Sequence, residues 1–261
     1  MPPRQTDILE IARREGRVDV ETLAHRFDVT PQTIRKDLND LCDIEKLNRV
    51  HGGAVFPSNT VNMAYQARRE IAAEGKARIA RAIAEMIPDN SSLILNIGTT
   101  TEQVAYALRR HQGLMVITNN LNVAYILSDA PGVEVVVSGG MVRKSDGGIV
   151  GAAAIDLIRQ FKVDFAVIGT SAIDEEGCLL DFDYREVRVS QAILGQARTS
   201  ILAADTGKFE RRAPVQIGQL EDLDIFVTDE QPPRSIQKIC SVAKIRLEVA
   251  QADMVTGKAA E

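Results

Sequence analysis

Up to Phe56, apolar positions recur at helical spacing in short stretches broken by turn residues. Ile8, Ile11 and Ala12 share one face of a helix over 4–15 that stops before Gly16. Val18 and Val20 flank a polar residue, which predicts two or three extended residues, and Leu23, Ala24 and Phe27 restore a helical stripe over 21–27. Asp28-Val29 turns the chain into Thr30, read as an N-cap with Pro31 at the first helical position, where a missing N–H costs nothing. Ile34, Leu38 and Leu41 then follow i, i+4, i+7 and bury one stripe of a helix over 30–41. LNRVHGGAVF, 47–56, is two short alternating segments around His51-Gly52-Gly53, and glycine supplies the positive φ of a tight hairpin.

Beyond the polar stretch PSNTVNMAYQ, 57–66, the pattern changes to helices alternating with continuous apolar strands. A helix with Ile79, Ile83 and Ile87 at four-residue steps ends at Pro88. Strands are expected at 93–97, 114–118, 133–137, 163–169, 199–204, 223–228 and 245–249, with helices at 101–110, from about 121, at 152–161, 183–197 and 234–243. Such alternation implies a largely parallel α/β sheet.

The helix over 30–41 presents Gln32, Thr33, Arg35, Lys36 and Asn39 on the face opposite its apolar stripe. Gln and Asn pair with adenine edges, Arg with guanine, and Thr and Lys suit phosphates. Two helices joined by a tight turn and followed by a hairpin describe a winged helix-turn-helix, with Arg49 and His51 where a wing touches flanking DNA. The blander reading is a solvated helix of mixed charge, because Asp37, Asp40 and Asp43 lie on it too. In the second part, five strands exit into polar or glycine-containing loops. These are Gly98-Thr99-Thr100-Thr101, Thr118-Asn119-Asn120, Ser138-Gly139-Gly140, Gly169-Thr170-Ser171 and Asp205-Thr206-Gly207-Lys208. Open α/β sheets bind ligands outside the carboxyl ends of their strands. GTTT also opens a helix, so free N–H groups, the positive dipole end and three hydroxyls converge there on an anion, a phosphate being the natural candidate; the alternative is a plain helix cap. Arg143 and Lys144, just past Gly139-Gly140, either close over that phosphate or form a solvated loop.

Composition narrows the classes. The chain has 261 residues, 45% apolar and 26% charged, ordinary globular values. Its net charge is −5, and residues 1–57 hold nine Lys/Arg against ten Asp/Glu, a net of −1, so DNA binding must come from a local arrangement. Apolar runs such as LILNI and VEVVVSGG fall far below the roughly 18 residues that span a bilayer, and with no export signal a cytoplasmic location is expected. Cys42, Cys178 and Cys240 are read as reduced and structural, and His25, His51 and His111 are too scattered for a metal site. Neither GxGxxG nor GxxxxGK[ST] occurs, so no nucleotide cofactor and no metal is expected.

TPQTIRKDLNDL followed by RVHGGAVFPS resembles the signature of the DeoR family of bacterial sugar-phosphate-responsive repressors. FPSNTVN (56–62), ILNIGTTTEQVAYAL (94–108), ITNNLNVA (117–124), SDGGIVG (145–151) and FDYREVR (182–188) extend the likeness to about residues 3–250. The resemblance implies a winged helix-turn-helix DNA-binding domain over 3–58, a linker over 59–74 and a sugar-isomerase-like effector domain over 75–252. It implies double-stranded operator DNA as a partner, a homo-oligomer (dimer or tetramer), and a small phosphorylated polyol or sugar as effector, glycerol-3-phosphate favoured. The effector would be held at Gly98, Thr99, Thr100 and Thr101, at Thr118, Asn119 and Asn120, and at Asp205 with Lys208. Gly139, Gly140 and Arg143 join these from the strand-exit argument. Two other readings stay open: an isomerase-like enzyme fused to a DNA-binding domain, with Asp174, Asp183, Glu186 and Lys208 as acid/base groups, and an interaction protein that has lost DNA binding. A turnover assay and a gel shift discriminate them.

Overall fold

The computed structural model describes residues 2–15, 17–44, 46–50, 52–55 and 65–250, and the chain divides into two units, 1–61 and 62–261. In the first, α1 (Pro3–Glu15), β1 (Arg17–Asp19), α2 (Val20–Phe27), α3 (Pro31–Asp43), β2 (Asn48–Val50) and β3 (Gly53–Val55) follow in order. The apolar stripes of the three helices meet in one core with Val18, Leu47 and Ala54. Asp19 caps α2 by accepting from Thr22 N at 2.8 Å, and Asp28, left-handed at φ +50°, ends it. Thr30 caps α3, accepting from Thr33 N at 3.3 Å, with Pro31 at the first turn. The hairpin of β2 and β3 gains β1 as a third antiparallel strand, in the order β1-β3-β2. Gly53 is required at that junction, because a Cβ there would collide with the Val18 carbonyl. His51, a candidate for the wing, lies outside the described residues.

The second unit runs α4 (Tyr65–Glu70), α5 (Ala73–Met86), β4 (Ser92–Leu95), α6 (Thr99–Leu108), β5 (Leu114–Thr118), α7 (Leu121–Leu127), β6 (Val133–Val137), β7 (Met141–Val142), β8 (Ile149–Val150) and α8 (Ala152–Ile158). It continues with β9 (Val163–Ile168), β10 (Ala172–Ile173), β11 (Cys178–Asp181), α9 (Tyr184–Leu194), β12 (Ala197–Ala203), a 3₁₀ turn at Thr206–Glu210, β13 (Val215–Gln219), β14 (Ile225–Thr228), α10 (Arg234–Ala243) and β15 (Arg246–Val249). Seven strands form one parallel sheet in the order β15-β14-β12-β9-β4-β5-β6. Alternate residues of its strands enter two cores: Leu93 and Leu95 pack with α5, α6 and α7 on one face, and Ile94 with α8, α9 and α10 on the other. Burial on both faces is why the strands read as unbroken apolar runs.

The chain leaves β4 outward through β5 and β6, then returns to the far side of β4 at β9. The order therefore reverses between β4 and β9, the position where open α/β sheets leave a crevice at their carboxyl ends. The hairpin β7-β8 and the antiparallel sheet β10-β11-β13 are additions that the sequence pattern did not predict. Their strands are two to five residues long, too short to show a period, and β11 finds β13 far along the chain. The helix expected over 183–197 stops at Leu194 because Gly195 caps it, and Ala197 and Arg198 start β12 instead. Within the stretch expected as a linker, residues 65–70 are helical. Among the described residues no helix is long and apolar enough to cross a membrane.

Candidate functional site

On α3 the buried stripe is Ile34, Asp37, Leu38 and Leu41. Asp37 is only 5% exposed, taking Arg4 Nε at 2.6 Å and Gln5 Nε2 at 3.2 Å, and Asp40 accepts from Gln5 at 3.1 Å. Two of the three carboxylates that argued for a merely solvated helix thus turn toward α1. Gln32, Arg35 and Lys36 are exposed, Thr33 and Asn39 are half-buried, and Arg49 is exposed on β2. Arg35 has one long, solvent-screened ion pair, 3.7 Å to Glu21, so its guanidinium remains available. The Thr30 and Thr33 hydroxyls bond each other at 2.9 Å.

In the second unit, the loop after β4 stands at the order reversal. Gly98 takes φ +150°, which favours glycine, and begins α6, whose first-turn amides have no intrahelical acceptor. Its three threonines have different roles. Thr101 Oγ1 donates to the carbonyls of Asn96 and Gly98, both at 2.7 Å, and so locks the loop. Thr99 Oγ1 donates to the Arg68 carbonyl at 3.4 Å, and Thr100 is buried beside it. At the exit of β5, Thr118 bonds Leu95 O and Asn120 N, and Asn120 caps α7 and donates to Glu102. Asn119 donates to Ile149 O, while its Oδ1 is buried without a partner. Gly139 and Gly140 are exposed beyond β6.

The charges concentrate on the β12 side. Lys208 is 8% exposed, and among the described residues nothing bonds its ammonium. Burial pulls its pKa down to about 8 against the attraction of Asp205, and Arg211, Lys76 and Arg68 push it the same way. Lys76 is buried too and lowered by burial, its Nζ donating to the carbonyls of Arg68 and, at 2.6 Å, Ile71. Asp205 Oδ1 is buried without a partner. Asp205 lies among these cations, Asp146 pairs with Arg68, Asp229 is near Lys76 and Asp181 near Lys208, and the buried Lys208 ammonium, with no bonded partner among the described residues, suits an anion.

Arg143 adjoins that cluster through Asp146, which it shares with Arg68, and stands in an internal network. It grips Asp146 with Nε at 2.8 Å and Nη2 at 2.7 Å, and reaches Asp183 at 3.3 Å and Glu186 at 2.5 Å. Burial and neighbouring Asp181 raise the Glu186 carboxyl in spite of Arg143, whereas Arg185 holds Asp183 down at about 2. A cavity of about 460 Å³ opens beside Arg143, Phe182 and Asp183. The other acid/base candidate, Asp174, caps a turn by accepting from Glu176 N and Cys178 N. A larger cavity of about 860 Å³ lies at the opposite edge of the sheet, where Arg109 is already paired with Asp129 and His111 faces the Ala84 and Ile87 carbonyls.

Three cations of the cluster, Arg68, Lys76 and Arg211, were absent from the sequence reading. Lys76 had a readable signal: it extends the Ile79, Ile83, Ile87 stripe by one turn, a charge on a face otherwise apolar. Arg68 had none, since only the fold brings it to Lys208, whereas Arg211 lies just three residues beyond Lys208.

Two family models match: the DeoR-like helix-turn-helix domain over residues 4–60 and the DeoR C terminal sensor domain over 71–230. The chain belongs to the DeoR family, as a DNA-binding transcriptional regulator with a sensor domain. It is 44% identical to the glycerol-3-phosphate regulon repressor of Escherichia coli (strain K12), over 94% of this chain and 98% of that protein. It is 42% identical to the glycerol-3-phosphate regulon repressor of Haemophilus influenzae over 88% and 89%, and 37% identical to the HTH-type transcriptional repressor CsqR of E. coli over 96% of each. A solved D-ribose-5-phosphate isomerase in complex with phospho-erythronic acid overlaps 52% of this chain and 54% of its own, at 16% identity and TM-score 0.39.

Proposed function

We propose that this regulator is a cytoplasmic repressor of genes for glycerol-3-phosphate use, that it binds operator DNA as a homo-oligomer, and that glycerol-3-phosphate or a related phosphorylated polyol or sugar is its effector. The observation that carries the effector reading is the buried, unpaired Lys208 ammonium among Arg68, Lys76 and Arg211. In it the dianionic phosphate meets Lys208 and the amides and hydroxyls of Gly98, Thr99 and Thr100. Thr101, Thr118, Asn120 and Arg143 hold the loops in place, and Asp205 attracts the Lys208 charge without bonding it. On the DNA side, Gln32, Arg35 and Lys36 face the major groove, Thr30, Thr33 and Asn39 flank them, and Arg49 and His51 serve the wing. The near-neutral N-terminal unit makes each half-site weak, so two must be summed. The sensor binds its effector without turning it over.

The test is isothermal titration of glycerol-3-phosphate, glycerol and inorganic phosphate into the full chain. Glycerol-3-phosphate is expected to bind and glycerol not. Thr99→Val with Thr100→Val keeps volume and β-branching but deletes two hydroxyls, and affinity should fall at least about tenfold. Unchanged affinity in a folded double variant reduces the loop to a helix cap.

A further inference from the structure

We propose that Arg68, on α4, is itself a ligand of the anionic group, and that occupancy of the site resets how α4 is tied to the sensor domain. The inference rests on the phosphate-site reading above and adds to it the element that responds.

Arg68 is poorly satisfied for a buried guanidinium. Its side chain is 17% exposed, its Nη2 lies 3.2 Å from Asp146, and its Nε is buried with no partner. Asp146 does not need it, because Arg143 already holds both carboxylate oxygens and Gly148 N donates to one of them. A planar fork with five donors and one long bond, beside Lys76, Lys208 and Arg211, matches the two-oxygen edge of a phosphate.

The backbone of the same residue is the second half of the argument. The Arg68 carbonyl is the acceptor for both Thr99 Oγ1 and Lys76 Nζ. A phosphate at the loop competes for the single hydrogen of the Thr99 hydroxyl, which leaves that carbonyl short of a bond, and meets the third N–H of Lys76, whose other two serve the Arg68 and Ile71 carbonyls. The rest of α4 is anchored beside the site: Tyr65 Oη donates to Glu102 at 2.7 Å, and Asn122 Nδ2 donates to Tyr65 Oη and to Glu102, both at 3.1 Å. The ligand thus acts on α4 through a side chain and a carbonyl at one position. α4 is also the first described element of its unit in chain order.

The experiment titrates glycerol-3-phosphate and inorganic phosphate into wild type, Arg68→Gln and Lys208→Met, and follows hydrogen exchange of the wild type with and without saturating glycerol-3-phosphate. Arg68→Gln should weaken both ligands at least about tenfold, and exchange over 65–72 should change at least about twofold on binding. Arg68→Gln binding like wild type while Lys208→Met loses binding would overturn the Arg68 proposal and leave the phosphate site standing. Both variants binding like wild type, or a wild type that binds neither ligand, would sink both readings. Should Arg68→Gln not fold, the wild-type exchange decides alone: protection over 98–108 with no change over 65–72 overturns it.

Discussion

Lys208 concentrates the chemistry of the sensor domain in one titration. With its pKa near 8 in the unliganded site, it is mostly charged below that pH and neutral above it. A phosphate binds the charged form, so affinity should weaken as pH rises through about 8, by up to about tenfold per unit. Below about pH 6 the ligand's own second proton returns and weakens it again. Calorimetric affinities of the wild type from about pH 5.5 to 9.5 check this, and an affinity unchanged between about pH 7 and 9.5 would remove Lys208 from the site. The sign for folding is opposite. A lysine lowered in the folded state binds fewer protons than the unfolded chain between about 8 and its ordinary value, so stability without ligand rises with pH across that window.

At the scale of an element, α3 illustrates how helical geometry sorts charges. Asp37 is three residues from both Ile34 and Asp40, and the same rotation that buries Ile34, Leu38 and Leu41 turns Asp37 toward Arg4 and Gln5 on α1. The exposed face left to Gln32, Arg35 and Lys36 is polar and basic. Arg35→Ala should cost about 1 to 3 kcal/mol of specific binding to a duplex selected by the wild type from random sequence, while effector binding is unchanged. Competitive gel shifts measure it. Normal operator binding by Arg35→Ala would remove α3 from the major groove. The loop into α6 shows the same division of labour: Thr101 is spent on Asn96 and Gly98, whereas Thr99 makes only a 3.4 Å bond to the Arg68 carbonyl.

For the whole molecule, regulation requires that the effector prefer one of two arrangements, because a ligand with equal affinity for both shifts nothing. Linkage then makes the effect reciprocal: saturating operator DNA must change glycerol-3-phosphate affinity by the same factor that glycerol-3-phosphate changes operator affinity. A coupling of about 1 to 3 kcal/mol gives about 5- to 150-fold. Effector titrations with and without operator, at one fixed salt concentration, read that factor, the salt being fixed because DNA affinity depends steeply on it. Equal affinities in the two titrations would exclude regulation by this ligand however tightly it binds.

The sequence by itself determined the elements and their chemistry: the capped α3 with Gln32, Arg35 and Lys36 outward, the hairpin after it, the α/β alternation and the polar strand exits. Each is a local property, set by periodicity, capping and turn residues within about a dozen positions. The tertiary structure decided which of those groups meet. The reversal of strand order falls between β4, which leads into the Gly98 loop, and β9, and the fold carries Arg68 and Lys76 to Lys208. It also gave the side chains of Thr118, Asn120 and Arg143 partners within the protein, which periodicity could not show. Periodicity reports which side of an element is buried. It carries no information on which distant element lies against that side, and for these buried charges and hydroxyls the missing neighbour decides between scaffold and ligand.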